Sequence, residues 1–158
     1  MKVFITGVSG LLGSTMARFL INQGHEVAGI DNMIGGVEGN VPELVKYTEG
    51  DILDVELLKE SMKDCEVVFH TAALPYEGLS VFSPMVTATS IVSGTIATAA
   101  AAIHNNIRLF INCSSMARYG KQIPPFTENM TPVPVDPYGL AKVNAEQHLK
   151  ILSDLHGL

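Results

Sequence analysis

Thr6-Gly7-Val8-Ser9-Gly10-Leu11-Leu12-Gly13 sets three glycines at intervals of three after a short β-rich run, residues 2–6, and before a helical one, residues 11–22. In the second run Leu12, Met16, Phe19 and Leu20 recur at helical spacing. A chain that turns from strand to helix over such a sequence must reverse sharply. It brings bare backbone close to whatever lies at the helix N-terminus, where unpaired N–H groups favour an anion. Gly24 closes the helix, and residues 25–30 (HEVAGI) form a second apolar run that stops at Asp31. Strand, helix and strand are complete in about 30 residues with an acid at the end, the spacing of a dinucleotide-binding βαβ unit. Asp31 can accept hydrogen bonds from the adenosine ribose hydroxyls. No Lys or Arg lies between Arg18 and Lys46 to neutralise a 2′-phosphate, so the motif favours NAD over NADP.

The alternation continues beyond this unit. Residues 31–42 carry Gly35, Gly36, Gly39 and Asn40 and read as loop, residues 44–49 as a third strand, and residues 54–63 as a helix capped by Asp54. Residues 66–70 (EVVFH) form a fourth strand, a long helix runs from residue 83 or 84 to 105, and residues 107–113 form a fifth strand. A polar, proline-bearing stretch, residues 114–136, then leads to Asp136-Pro137. This N-cap and N1 pair opens a last helix that runs to Gly157. Strands alternating with helices predict an α/β, doubly wound parallel sheet of Rossmann type, strand order 3-2-1-4-5, filling residues 1–158 as one domain with its ligand at the carboxyl ends of the strands.

Composition narrows the partners. Ten Lys and Arg against sixteen Asp and Glu give a net charge of −6, and the basic residues are scattered, so the footprint of a nucleic-acid phosphate backbone is missing. Cys65 and Cys113 have neither CxxC spacing nor the numbers of a disulfide framework, which suits a reducing compartment and a cytoplasmic protein. Residues 78–107 contain no Asp, Glu, Lys or Arg, yet the most apolar part carries Thr87, Thr89, Ser90, Ser93, Gly94, Thr95 and Thr98. That polar load costs too much in hydrocarbon and predicts a buried helix rather than a membrane span. His25, His104, His148 and His156 lack metal-ligand spacing, so no metal is expected. His70, at a strand end, reads as a packed, hydrogen-bonded histidine, and Cys113 as a small buried filler whose backbone faces the cofactor.

A second constellation is catalytic in character. Tyr138 and Lys142 are four apart and share one face of the last helix, so the ammonium is placed to lower the phenol's pKa, and a hydroxyl of Ser114 or Ser115 can complete the site.

With these residues in place, the sequence resembles the extended short-chain dehydrogenases/reductases, in particular the NAD-dependent nucleotide-sugar epimerase/dehydratase group. Residues 6–13 match its TGxxGxxG loop, Asp31-Asn32 its ribose-binding acid, Gly50-Asp51-Ile52 its adenine-contacting segment and His70-Thr71-Ala72-Ala73 its strand end. Residues 113–120 (CSSMARYG) match its SSxxxYG block, followed by Thr127-Glu128 and by residues 137–142 (PYGLAK). The resemblance implies that Tyr138 is the acid/base, Lys142 its electrostatic partner and ribose ligand, and Ser115 the hydrogen-bond partner of the reacting hydroxyl. It implies a cofactor site of Gly7, Gly10, Leu11, Leu12, Gly13, Asp31, Asn32, Asp51, Ile52, Thr71, Ala72, Ala73, Ser90, Cys113, Tyr138 and Lys142. The dehydratases of the group carry an Asp-Glu pair after their Ser or Thr, where Met116 and Ala117 stand here. The implied activity is therefore a UDP-glucose 4-epimerase-like exchange, in which a sugar hydroxyl is transiently oxidised and reduced again. A sugar or alcohol oxidoreductase, or a non-catalytic NAD-binding module, is the alternative. Members of the group are longer than this chain and hold the nucleotide-sugar, here expected to be UDP-linked, in a C-terminal domain that residues 1–158 do not include. A helix apolar nearly all round needs cover on more than one side, so the helices over residues 85–103 and 137–156 are expected to pair with those of a second subunit.

The expectation drawn from Asp31 is that the protein binds NAD more tightly than NADP, by an order of a few kcal/mol for a carboxylate facing a 2′-phosphate in a partly desolvated site. Calorimetric titration with both dinucleotides checks it, and equal or tighter NADP binding overturns it.

Overall fold

The computed structural model describes residues 1–158. Strands β1 (Lys2–Thr6), β2 (Glu26–Asp31), β3 (Val45–Glu49), β4 (Val67–His70) and β5 (Leu109–Asn112) form one sheet in the order β3-β2-β1-β4-β5. Every neighbouring pair is parallel, with Phe4 opposite both Ala28 and Val68. The strands alternate buried side chains between two layers, because successive residues point to opposite faces. Val3, Ile5, Val27 and Val67 pack with Ala17 and Leu20 of α1 (Leu11–Asn22) on one face. Phe4, Ala28, Ile30 and Val68 pack with Leu58 of α2 (Val55–Ser61) and with Ala97, Ala101 and Ala102 of α5 (Gly94–His104) on the other.

The predicted sheet order and helix alternation match the fold, with boundaries that differ by at most two residues. β5 is shorter than the apolar run 107–113, and β2 starts at Glu26 rather than at residue 25. The caps follow their chemistry: Asp54 accepts from the Leu57 N–H at 3.0 Å, and Asp136 accepts from the Gly139 N–H at 2.7 Å to open α6 (Pro137–His156).

Four features lie outside what the sequence predicts, the first a 3₁₀ turn over Glu38–Asn40 within the stretch read as loop. A one-turn helix α3 (Glu77–Ser80) and a 3₁₀ turn over Met116–Tyr119 occupy segments without a helical signature. The long helix is continuous over Pro84–His104, but α4 (Pro84–Ala88) joins α5 through a π-helical turn, Thr89–Ser93. That long helix was expected to be buried. By length and composition it could cross a membrane, and 44% of its most apolar window is buried. Its C-terminal part is packed between the sheet, α2 and α6, whereas Met85 and Val86 near its start are 77% and 54% exposed. Burial is a property of where the helix lies, which hydropathy alone does not report.

The turn between β1 and α1 is a point of close backbone approach. Gly7 has φ +72°, and a Cβ on it would sit 2.8 Å from the Ala72 nitrogen at the end of β4. A Cβ on Gly13 would collide with the Gly7 carbonyl. Only glycine allows β1, β4 and α1 to converge this closely.

Candidate functional site

The convergence opens a cavity of about 700 Å³ at the carboxyl ends of β1, β2 and β4, reaching the start of α6. It is the size of a small-molecule or cofactor cleft. All of the residues assigned from sequence to cofactor binding line it, from Gly7, Gly10, Leu11, Leu12 and Gly13 through Asp31, Asn32, Asp51 and Ile52 to Thr71, Ala72, Ala73, Ser90, Cys113, Tyr138 and Lys142.

At one end, Gly10 caps α1 without a side-chain hydrogen bond, which leaves the first-turn N–H groups of the helix to a ligand. Asp31 is 8% exposed; its Oδ2 accepts from the Ser9 N–H at 2.9 Å and its Oδ1 from the Met33 N–H at 2.9 Å. The glycine turn thus holds the acid in place. Asn32 donates to Asp51 at 2.9 Å, and Asp51 also accepts from the Leu53 N–H at 2.8 Å, so these two residues form one polar wall. An uncapped helix N-terminus facing a fixed carboxylate across bare glycines fits the pyrophosphate and ribose of a dinucleotide.

At the other end, Tyr138 packs with Ile91, Ala141 and Ala145 and is 9% exposed. Burial pushes its phenol pKa up, and hydrogen bonding with Ser115 opposes the shift, while Glu77 and Asp136 add to it. The expected lowering by Lys142 is therefore not the outcome in this structure. Desolvation dominates, and the ammonium lies 5.8 Å from the ring centroid, where its Nζ donates to the Cys113 carbonyl at 2.8 Å. Lys142 is itself buried, which lowers its pKa against the opposing influence of Cys113 and Glu146. Burial also raises the Cys113 thiol pKa, so this cysteine is a poor nucleophile that contributes its backbone.

The two serines separate cleanly. Ser114 lines the cavity and its Oγ hydrogen-bonds Glu146 Oε1, whereas Ser115 stands just behind the lining, caps the 3₁₀ turn by accepting from the Ala117 N–H at 3.1 Å, and lies near enough to Tyr138 to oppose the rise in its pKa. Sequence reasoning missed Tyr76, Met85, Val86 and Thr89 as cavity walls, since they carry no motif and reach the cavity through α3, α4 and the π turn. Ser90, on that turn, accepts from the Leu74 N–H at 3.2 Å and so ties the loop after β4 to the long helix.

His70 is the packed histidine that its sequence position suggested. The Thr95 hydroxyl donates to the Ile91 carbonyl at 2.6 Å, so at 3.0 Å it must accept from His70 Nε2–H. Nδ1 is then an acceptor, and it receives the Thr6 hydroxyl proton at 2.8 Å, while Thr6 Oγ1 accepts from the Ala72 N–H at 3.2 Å. Every proton has one place, and burial, with Lys142 adding to it, pushes the His70 pKa down to about 3.

Residues 3–158 match the NAD dependent epimerase/dehydratase family, and the chain belongs to that family. It is 32% identical to the UDP-glucose 4-epimerase of Mycolicibacterium smegmatis over 167 residues, which is 100% of the chain and 53% of that protein. It is 33% identical to the one of Corynebacterium glutamicum over 168 residues, covering 48% of it. Among solved structures, UDP-glucose 4-epimerase from Thermotoga maritima with UDP-glucose superposes with a TM-score of 0.95 at 30% identity, over 100% of this chain and 53% of that one. The enzyme from Brucella ovis in complex with NAD gives 0.95 at 33% identity, over 99% and 49%. The chain spans about half the length of the curated relatives it matches.

The His70 network has a pH signature. The folded pKa, about 3, lies below the ordinary value of 6.5, so the unfolded state takes up the extra proton and stability is lost as pH falls from 6.5 towards 3. Urea denaturation between pH 6.5 and 5 should show a loss of up to about 1.4 kcal/mol per pH unit from this group. His70→Gln should flatten that slope while lowering stability at neutral pH; an unchanged slope contradicts the assignment.

Proposed function

We propose that residues 1–158 are the NAD-binding and catalytic half of a UDP-sugar 4-epimerase. The observation that carries this reading is a single cavity with the glycine turn and Asp31 at one end and Tyr138, Lys142 and the start of the Ser114-Ser115 segment at the other. The names of the relatives support it, and Met116 and Ala117 in place of an acidic pair speak against dehydration.

NAD, when bound, supplies a nicotinamide that can accept and return a hydride. The uncapped α1 N-terminus and Asp31 hold its pyrophosphate and adenosine ribose, Asn32, Asp51 and Ile52 flank its base, and Thr71, Ala72, Ala73, Ser90 and Cys113 line its other half. Lys142, fixed on the Cys113 carbonyl, binds the second ribose, and its ammonium is a cation placed to oppose, once a ligand fills the site, the burial that raises the phenol pKa. Tyr138 takes the proton of the sugar hydroxyl at its phenol oxygen and gives it back after the sugar has turned, so one group serves as base and then acid. Ser115 hydrogen-bonds both this phenol and the reacting oxygen. The burial that raises the phenol pKa also excludes water from the keto-sugar stage.

The surface supports the pairing of two subunits through residues 85–103 and 137–156. Met85 and Val86 are exposed at the start of the long helix, and Leu140, Ile151 and Leu155 are 58%, 57% and 71% exposed along α6. Helices with apolar residues left outside a filled core are suited to an isologous bundle. Sedimentation of the protein at high micromolar concentration should give a dimer that Ile151→Asp weakens, and a monomeric wild type refutes the pairing.

In the complete protein, Tyr138→Phe should abolish interconversion of UDP-sugars, by about 10²-fold or more for a lost general acid/base, with NAD occupancy retained. Lys142→Met should injure both. Product analysis and cofactor absorbance read the two effects, and near-normal turnover of the Phe variant overturns the enzymatic reading.

A further inference from the structure

α6 grips the segment after β5 at more than one point, and the grip beyond Lys142 belongs to Glu146. Glu146 stands one helical turn past Lys142 and two past Tyr138, on the same face of α6. Its Oε1 takes the Ser114 hydroxyl and its Oε2 takes Arg118 Nη2 at 2.8 Å. Ser114 and Arg118 lie on either side of Ser115, at the entrance and in the body of the turn Met116–Tyr119. Both partners of the ion pair are 24% exposed, so the pair is shielded from water and stronger than a surface contact. Arg118 has no second anion: its Nε is buried without a partner, and its guanidinium otherwise rests 5.2 Å from the Tyr119 ring centroid. The Ser115 hydroxyl lies near enough to Tyr138 to oppose the rise in the phenol pKa, and its own cap bond is internal to the turn. The orientation of its hydroxyl is therefore inherited from the residues on either side.

We propose that Glu146 is a positioning residue for the reaction, holding Ser114 and Arg118 so that the Ser115 hydroxyl stays on the Tyr138 phenol. The inference rests on the reading of Ser115 and Tyr138 given above. It names a dependence of that pair on a side chain that touches neither substrate nor cofactor.

The test is made in the complete protein, with NAD loaded and UDP-glucose as the probe substrate. Glu146→Ala removes both contacts and should lower kcat by about 10²-fold, the scale of a misplacement near 1 Å, with KM and NAD occupancy within about threefold of wild type. Glu146→Gln can still accept from Arg118 through its carbonyl and donate to Ser114 through its amide, so it should keep most of kcat. Glu146→Ala leaves Arg118 as an uncompensated half-buried cation and lowers stability, so a double variant separates folding from positioning. Glu146→Ala/Arg118→Met removes that cation and should recover the melting temperature while kcat stays low. If kcat recovers together with the melting temperature, the role is structural and the proposal falls. It falls equally if Glu146→Ala keeps kcat within about twofold while Tyr138→Phe is inactive. If Tyr138→Phe is active, the reading of the site fails on its own account.

Discussion

Everything at the site depends on how closely three backbone segments approach at the carboxyl end of β1. Gly7 turns with φ +72° beneath Ala72, its N–H donates to the Ile30 carbonyl of β2 at 2.8 Å, and α1 begins at Leu11 with Gly13 against the Gly7 carbonyl. The approach leaves the helix N-terminus bare, draws Asp31 to the Ser9 amide, and sets the end of β4 beside the turn. A side chain at Gly7 or Gly13 would separate those elements and remove the cavity floor with them.

Two polar arrangements transmit that placement into the rest of the domain. In the first, Thr6, His70, Thr95 and Ile91 form a chain of single-direction hydrogen bonds from β1 through β4 into the long helix. A neutral histidine is required there, because a protonated ring would offer a second donor where Thr6 already donates. In the second, α6 carries Tyr138, Lys142 and Glu146 on one face. Lys142 holds the Cys113 carbonyl while Glu146 holds Ser114 and Arg118. The first arrangement fixes where the sheet ends; the second fixes where the loop after β5 lies. The two meet where Tyr138 packs on Ile91, in a cluster closed to water. Desolvation there outweighs the opposing Ser115 hydroxyl and leaves the phenol above its ordinary pKa.

The readable part of the chain was the part in which local chemistry and spacing coincide. Glycines at fixed intervals, an acid at a strand end, Asp136 before Pro137 and a tyrosine four residues before a lysine each demand one backbone geometry, and each appears where that geometry requires it. The strand order follows from the alternation of elements and the preference for parallel pairing with helical crossovers. The π turn over Thr89–Ser93 was not readable, because its Thr, Ser, Ile and Val residues are as compatible with an ordinary helix as with one extra residue per turn. α3 is too short to show a period, and the choice of Ser115 over Ser114 came only from a family resemblance.

Residue type and spacing alone therefore determined the fold class, the position of the glycine turn between β1 and α1, the identity of the acid at the end of β2 and the pairing of Tyr138 with Lys142 on one helical face. Tertiary structure decided what those groups experience. It set the direction of the Tyr138 pKa shift, turned Ser114 towards Glu146 and Ser115 into the cap of the following 3₁₀ turn, and added walls from Tyr76, Met85 and Thr89 that carry no signal in the sequence. The physical reason is that covalent spacing constrains neighbours within a turn or a strand. Burial and charge at a site are sums over segments distant in the chain, and they exist only once packing has brought those segments together.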